Sequence, residues 1–455
     1  MQPAAVPGLD LKTLMASVRG RIVQPEEPDY DEIRKVHNGM IDRKPALIVR
    51  CTGAADVVQC VRVARDSGML LSIRGGGHSV PGFAVCDGGL MIDLSDAKGV
   101  RVDAARQTAR AQAGATWGDF DHETHAYGLA TTGGVMRTTG IAGLTLAGGH
   151  GLLMRKYGLA CDNLLSVDLV TADAHLLTAN AQENPDLFWG LRGGGGNFGI
   201  VTSFEYQLHP VNNVLGGLLV FPFNHARSIL KSYDDFVTTA PDELGGAAVL
   251  ATLPDGTKAV VFLLAYHGPL ERGEDVMRQL RSFGPLLDDQ VSVMPYTAVQ
   301  SITEHFNPRG MRNYWKTSYL GPVSEDAIDA MVEYHARVPS PFTHQVIYTL
   351  GGAVARTGNH DTAVGYRDAR HAFVVIGMWD DASRDEEQIS YVRNLWSAVQ
   401  PFSSGGFYPN YEGAVTADQI KSAFGPEKYD RLLSLKRKYD PDNIFRLNQN
   451  ISPIA

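Results

Sequence analysis

Arg74-Gly75-Gly76-Gly77-His78-Ser79, with Gly82 just beyond it, follows the apolar run Met69-Leu70-Leu71-Ser72-Ile73. The run predicts a buried strand. A strand feeding consecutive glycines turns on a backbone without Cβ atoms, so positive φ and close approach of a ligand are both open to it. Successive exposed N–H groups in such a turn form a concavity suited to a pyrophosphate. The unusual feature is a histidine inside the loop, set on constrained backbone beside whatever the loop holds. From these residues alone two readings stand: a phosphate or cofactor loop, and a tight structural turn with an incidental histidine.

Upstream, a short helical lead-in (residues 9–19) and a Pro-Glu-rich loop precede Ala46-Leu47-Ile48-Val49-Arg50, which reads as a buried strand. Val57, Val61 and Ala64 then fall at helical spacing, with Gly68 as the stop. Residues 90–94 give another apolar strand. A strand–helix–strand unit feeding a glycine turn is an α+β or α/β signature.

Two more glycine-rich stretches follow. Thr138-Thr139-Gly140-Ile141-Ala142-Gly143-Leu144 runs on through Gly148-Gly149-His150-Gly151 and Arg155-Lys156-Tyr157-Gly158-Leu159 to Asp162-Asn163. Arg192-Gly193-Gly194-Gly195-Gly196-Asn197-Phe198-Gly199 leads into a strand of period two. There Thr202, Phe204, Tyr206 and Leu208 are expected on one face, and Ser203, Glu205 and Gln207 on the other. Three glycine loops, each on a strand end, imply one large ligand gripped by several backbone segments. Beyond residue 213 the texture changes to longer alternating segments separated by helical ones. That pattern predicts an antiparallel sheet with helices on one face, over residues 213–405.

Other chemistries drop out on spacing. A Rossmann turn needs G-x-G-x-x-G opening a helix with an acidic residue about 20 positions on, and no stretch fits. Neither GxxxxGK[ST] nor GxSxG occurs. His122 and His125 flank Glu123 three residues apart, not the four that a zincin helix needs, so no metal is expected. The 455 residues carry a net charge of −9, which argues against nucleic acid as a partner. Cys51, Cys60, Cys86 and Cys161 show no paired spacing and read as buried thiols of a reducing compartment. Neither a secretion signal nor a membrane span is visible, so a cytoplasmic protein is expected.

The glycine loops, together with Tyr408-Pro409-Asn410-Tyr411, Tyr439-Asp440-Pro441-Asp442-Asn443 and the Asn448/Asn450 pair, resemble the berberine-bridge-enzyme-like FAD-linked oxidases of the vanillyl-alcohol-oxidase superfamily. The likeness extends along essentially the whole chain. It implies an α+β fold: a two-part FAD-binding domain over residues 1–212, a substrate domain over 213–405, and a segment over 406–455 that completes the FAD-binding domain. By the resemblance His78 bonds covalently to the flavin. Arg74 to Ser79 and Gly82 bind pyrophosphate and flavin, while Thr138, Thr139, Gly140, Gly143 and Leu144 run along the isoalloxazine. Gly149, His150, Gly151, Asp162 and Asn163 lie toward the ribityl–adenine side, Ile200 and Val201 against adenine, and Asn448 and Asn450 at the ring.

Many members of the family carry a second link from a cysteine shortly before the Gly140 segment. Val135 and Met136 stand there, so a single link is expected. Tyr411 is the resemblance's candidate for the base. With an ordinary pKa near 10 it needs a cationic or polar neighbour to serve at neutral pH. The strand that carries a catalytic glutamate in some members has no carboxylate over residues 348–356. Tyr314, Trp315, Tyr348 and Arg356 are candidates for the substrate pocket, and Thr139 and Leu144 for control of O₂ access. The expected reaction is oxidation of an alcohol, amine or phenolic small molecule by hydride transfer to flavin N5, with O₂ as acceptor giving H₂O₂. The alternative is a monooxygenase of secondary metabolism. Sugar oxidation is disfavoured, because sugar-oxidising members usually carry the double link.

Overall fold

The computed structural model of the chain describes residues 11–412 and 415–454. Around the strand that precedes His78 it builds a four-stranded sheet. β1 (Arg21–Val23), β2 (Leu47–Arg50), β3 (Leu71–Arg74) and β4 (Leu90–Asp93) lie in the order β1-β2-β4-β3. Both β2 and β3 run parallel to β4, so their connection must cross over, and α1 (Ala54–Ser67) makes the crossing. Val57, Val61 and Ala64 form its buried stripe, and Gly68 ends it at φ 66°. The described part of the lead-in is a helix over Leu11–Ser17. Its expected start at residue 9, and the stretch read for a secretion signal, lie outside the described residues.

A second sheet is antiparallel: β5 (Val100–Asp103), β6 (Thr108–Gln112), β7 (Leu164–Val170), β8 (Leu176–Asn180) and β9 (Ile200–Gln207), in the order β5-β6-β9-β7-β8. The alternation predicted for β9 holds from Phe204 onward. A register shift against β7 between Val201 and Ser203 puts Ile200 and Val201 both inside and leaves Thr202 partly exposed. Between the strands, α2 (Trp117–His125) starts on a Thr116–Asp119 capping box. The second glycine-rich stretch holds a short helix, α3 (Ile141–Leu146). The third follows α4 (Pro185–Leu191).

The third sheet contains β10 (Asn213–Pro222), β11 (Leu244–Thr252), β12 (Lys258–Tyr266), β13 (Asp288–Asp289), β14 (Ser292–Pro295), β15 (Arg312–Leu320), β16 (His344–Thr349), β17 (His371–Trp379) and β18 (Ser403–Gly405). Its order is β13-β10-β12-β11-β16-β17-β15-β18, with β14 also on β10. Successive residues of a strand face opposite ways, and here the two faces have different partners. Phe221, Phe262, Ile347 and Val375 pack against α5 (Ala226–Val237), α6 (Leu270–Arg281), α7 (Glu325–Ala336) and α8 (Asp385–Val399). Their neighbours Val220, Val261, Val346 and Ile376 point toward the glycine loops.

The tail folds back. α9 (Ala417–Phe424) and α10 (Pro426–Tyr439) place Ile420, Leu432 and Leu435, with Phe445 and Ile451 beyond them, in the same core as α1 and the first two sheets. A buried Lys436 fastens this return. Its Nζ donates to Asp440 at 2.6 Å, to the Phe445 carbonyl at 2.9 Å and to the Asn197 carbonyl of the third glycine loop at 3.0 Å.

Candidate functional site

A continuous cavity of about 1460 Å³ runs from the glycine loops to the free face of the third sheet. A pocket for one small molecule takes about 300–1,000 Å³, so there is room for a cofactor and a substrate together. The first two loops meet backbone to backbone. A Cβ on Gly76 would lie 2.2 Å from the Gly140 nitrogen, and one on Gly140 2.3 Å from the Gly76 nitrogen. Only glycine allows that approach.

His78 stands on the cavity wall, its ring stacked on His37 with centroids 4.2 Å apart. Burial, with His37 and Arg309 adding in the same direction, pushes its pKa down to about 3 against a hydrogen bond to the Thr138 backbone. The imidazole is therefore neutral, with a lone pair free. Nothing in the sequence pattern pointed to His37. It comes from a separate segment, tied to the loop by its N–H donating to the Gly77 carbonyl at 3.0 Å.

The opposite end is aromatic. Tyr411 lies 5.9 Å from Tyr348, 5.8 Å from Trp315 and 4.8 Å from Tyr408, centroid to centroid. Tyr408 anchors the group: its hydroxyl accepts from the Gly149 and His150 N–H groups and from Asn410. Behind Tyr411, buried Glu412 pairs with Lys316 and accepts from the Thr317 N–H at 3.1 Å. The cationic neighbour that Tyr411 needs as a base is not among its contacts. The adjacent imidazole, His150, is held neutral, its pKa pushed down to about 3 by burial. Burial raises Tyr411 well above its ordinary value and Tyr348 to about 12, and the two hydroxyls are hydrogen-bonded. Both are neutral phenols in these surroundings.

Of the residues singled out from sequence, Gly75, Gly76, Gly77, His78, Ser79, Thr139, Gly140, Gly143, Leu144, Ile200, Val201, Asn448, Trp315, Tyr348 and Tyr411 line this cavity. The others do not, each for a physical reason. The Arg74 guanidinium is turned to the Ile33 carbonyl and Asp93. Gly82 packs on Ile41, which a Cβ would strike at 2.7 Å. Thr138 contributes only its backbone, to His78. Gly149 and Gly151 give way to Ala160 and the Gly133 carbonyl, and His150 stacks on Tyr408. Asp162 is paired with Arg367, while Asn163 donates to the Tyr157 and Leu159 carbonyls. Tyr314 points to the helix side and meets Arg393, one residue out of phase with Trp315. Arg356 pairs with Asp242 on the surface, and half-buried Asn450 lies off the wall. The Gly193–Asn197 loop lines the cavity as well. Its glycines were read as part of the grip without being assigned as site residues.

Residues 45–180 match a family described as FAD binding domain, and residues 408–452 one described as Berberine and berberine like. The chain is 31% identical to (R)-6-hydroxynicotine oxidase of Paenarthrobacter nicotinovorans, covering 96% of this chain and 97% of that protein. It belongs to the berberine-bridge-enzyme-like family of FAD-linked oxidoreductases. An FAD-dependent monooxygenase of Fusarium proliferatum is 37% identical over 88% of this chain and 83% of its own. Among solved structures, 6-hydroxy-D-nicotine oxidase from Arthrobacter nicotinovorans superposes with a TM-score of 0.86 at 29% identity, over 96% of this chain and 98% of that one.

This berberine-bridge-like chain has the cradle that an FAD requires. Gly143 and Gly196 line the cavity at ordinary φ, and a Cβ on either would meet no protein atom within 4 Å. The protein's own packing does not demand glycine there; the space beside them fits a bound molecule. Asn448 donates to the Gly196 and Phe445 carbonyls, which leaves its Oδ1, and the neighbouring Gln449 Oε1, as buried acceptors unpaired among the described residues. Unpaired buried acceptors on a cavity wall suit a ligand with N–H donors.

Proposed function

We propose that the protein holds FAD covalently through His78 alone and oxidises an alcohol, amine or phenolic small molecule, with O₂ as acceptor. The observation that carries this reading is the continuity of one cavity from the neutral His78 on the glycine loops to the aromatic end at Tyr348 and Tyr411. When bound, the flavin takes a hydride at N5 and returns the electrons to O₂ as H₂O₂. The chain's own residues do the rest. His78 offers an unprotonated ring nitrogen to bond the cofactor. Val135 and Met136, at the place of the second link, line the cavity and have no atom that can bond it. Trp315, Tyr348 and Tyr411 hold the substrate's ring, and the two phenol hydroxyls donate to its heteroatom. The sheet face opposite excludes water.

A second reading, a monooxygenase, is favoured by the Fusarium relative. Stoichiometry separates them: one H₂O₂ per substrate for the oxidase, oxygen retained in the product for the other. The reading places the protein in the cytoplasm, supported by four buried free thiols. No described helix is long and apolar enough to cross a membrane. The test is the spectrum of denatured, washed protein, with mass mapping of the peptide spanning residues 74–82. Flavin absorbance retained on the His78 peptide alone is expected, and His78→Ala abolishes it. Colourless denatured protein would overturn the covalent link.

A further inference from the structure

Three glycines precede His78, so no side chain before it on its own loop steadies the ring. The torsion that sets the plane of an imidazole has broad wells, and left to itself the ring turns. Bonding a cofactor requires one ring nitrogen aimed with its lone pair outward, which calls for a fixed tautomer and a fixed plane. Thr138 sets the tautomer. Its backbone hydrogen bond works to raise the His78 pKa, so the Thr138 carbonyl accepts a ring N–H and the other nitrogen keeps its lone pair.

The plane is left to His37. The two rings lie within 19° of parallel with centroids 4.2 Å apart, His37 buried behind and His78 half-buried on the cavity wall. Burial, with Arg309 adding to it, pushes the His37 pKa down to about 4, so two neutral rings stack without like-charge repulsion. Imidazole N–H groups and lone pairs lie in the ring plane, so rings stacked face to face pass no proton between them. No hydrogen bond among the described residues uses a ring nitrogen of His37, which leaves the ring face as the working part.

His37 is itself clamped on both sides. Its N–H donates to the Gly77 carbonyl at 3.0 Å, and its own carbonyl accepts from the Gly310 N–H at 3.0 Å. Next to it, the buried Asn38 amide donates to the Val80 carbonyl, just past the His78 loop, at 2.7 Å and to the Asn313 carbonyl at 2.9 Å. The Asn38 Oδ1 accepts from the Asn313 N–H at 2.9 Å and from the Met40 N–H at 3.0 Å, so every polar atom of this side chain is used. Asn313 belongs to β15, and its Oδ1 accepts from the Trp315 Nε1 at 3.1 Å. One bridge therefore ties the ring that backs His78 to the strand that carries Trp315 to the cavity wall.

We propose that His37 is the positioning residue for cofactor attachment, its ring face holding the His78 imidazole in the plane from which a nitrogen bonds the flavin. This rests on the covalent reading above and adds the residue that prepares His78 for it. In the step, a C–H bond of the flavin's ring methyl breaks and a C–N bond to His78 forms. The methyl releases one proton and the imidazole releases its N–H proton. The two electrons left over pass with these protons to O₂, giving H₂O₂. His37 takes up none of them.

The test uses the full chain produced under riboflavin starvation, mixed with FAD in air and sampled into acid. Flavin absorbance that survives denaturation and washing gives the attachment rate, and the native spectrum gives the flavin bound before attachment. His37→Leu keeps similar volume without a ring, whereas His37→Phe restores a ring face without nitrogen. Attachment is expected to slow at least about ten-fold in His37→Leu and to stay within about three-fold of wild type in His37→Phe. Both variants should bind FAD before attachment, and melt, much as wild type does, which a merely structural role for His37 would not allow in the slow variant. Attachment at the wild-type rate in His37→Leu would overturn the proposal. So would a His37→Phe variant as slow as His37→Leu, which would move the role to a ring nitrogen. Wild type that retains no flavin after acid overturns the covalent reading and this proposal with it, so the wild-type sample tells the two failures apart.

Discussion

Tyr411 shows how far a residue's neighbours decide its chemistry. Its ring packs edge-on to Trp315 and Tyr408 and lies nearly parallel to Tyr348, and each contact removes water from the hydroxyl without offering a positive charge. Both phenols stay protonated through the neutral range because burial raises them together. Tyr348→Phe and Tyr411→Phe should therefore each lower kcat/KM by about ten-fold, the worth of one lost hydrogen bond of roughly 1.4 kcal/mol. A lost general base would cost about a hundred-fold or more. The shape of the pH–rate profile between about pH 6 and 9 should be the same in both variants as in the wild type. A profile that loses an ionisation in Tyr411→Phe would return the base role to that residue. Tyr411 and Tyr348, singled out from the sequence, both line the cavity, while nothing in the sequence showed the neighbours that keep Tyr411 protonated. A phenol's role is set by what surrounds it, and those neighbours come from segments far apart in the chain.

At the scale of the element, the third sheet works as a two-sided partition, and strand phase assigns every residue to a side. Val346 faces the cavity and Ile347 the helical layer. Ile347→Ala should cost about 2–5 kcal/mol of stability through a cavity in the packed layer, with KM little changed. Val346→Phe should raise KM several-fold by filling substrate space while the melting temperature moves by only a few degrees. Thermal melts and steady-state kinetics on the two variants read both numbers, and equal effects of both would contradict the partition. This phase was legible in the alternating segments of the sequence, and so were the six longest strands, though not the short β13, β14 and β18. Which phase faced the ligand was not, and Tyr314 was assigned to the pocket one residue out of step with Trp315. Along β9 the register shift between Val201 and Ser203 broke the pattern, and period-two reading has no means of anticipating it. Asp162 and Asn163 lie off the cavity wall for another reason. Polar residues in a glycine-rich stretch look the same in sequence whether they bind a ligand or, as here, fasten Arg367 and neighbouring carbonyls.

Across the whole molecule, buried histidines recur in each part: His150 under the aromatic end, His267 beside Tyr157, and His335 against Phe223 in the helical layer. Burial holds His150 and His267 to about 3 and His335 to about 4. Depressed values mean that the unfolded chain, with its histidines near 6.5, takes up protons as pH falls before the folded one does. These groups cost nothing above about pH 6.5. Below it, each removes up to about 1.4 kcal/mol of stability per pH unit until the folded pKa is reached. Three together at about pH 5 amount to roughly 6 kcal/mol, the scale of a domain's entire net stability. The melting temperature should therefore change little between about pH 8 and 6.5 and fall steeply between about pH 6 and 4.5. Acidic carboxylates also titrate toward the bottom of this window, so a single variant isolates the histidine share. His335→Leu fills similar volume with an apolar side chain and should flatten the acid limb by about one proton's slope while leaving the flavin spectrum intact. Parallel pH–stability curves for His335→Leu and wild type would show that the imidazole is protonated at no cost in the fold, and that the helical layer opens to water more readily than its packing implies.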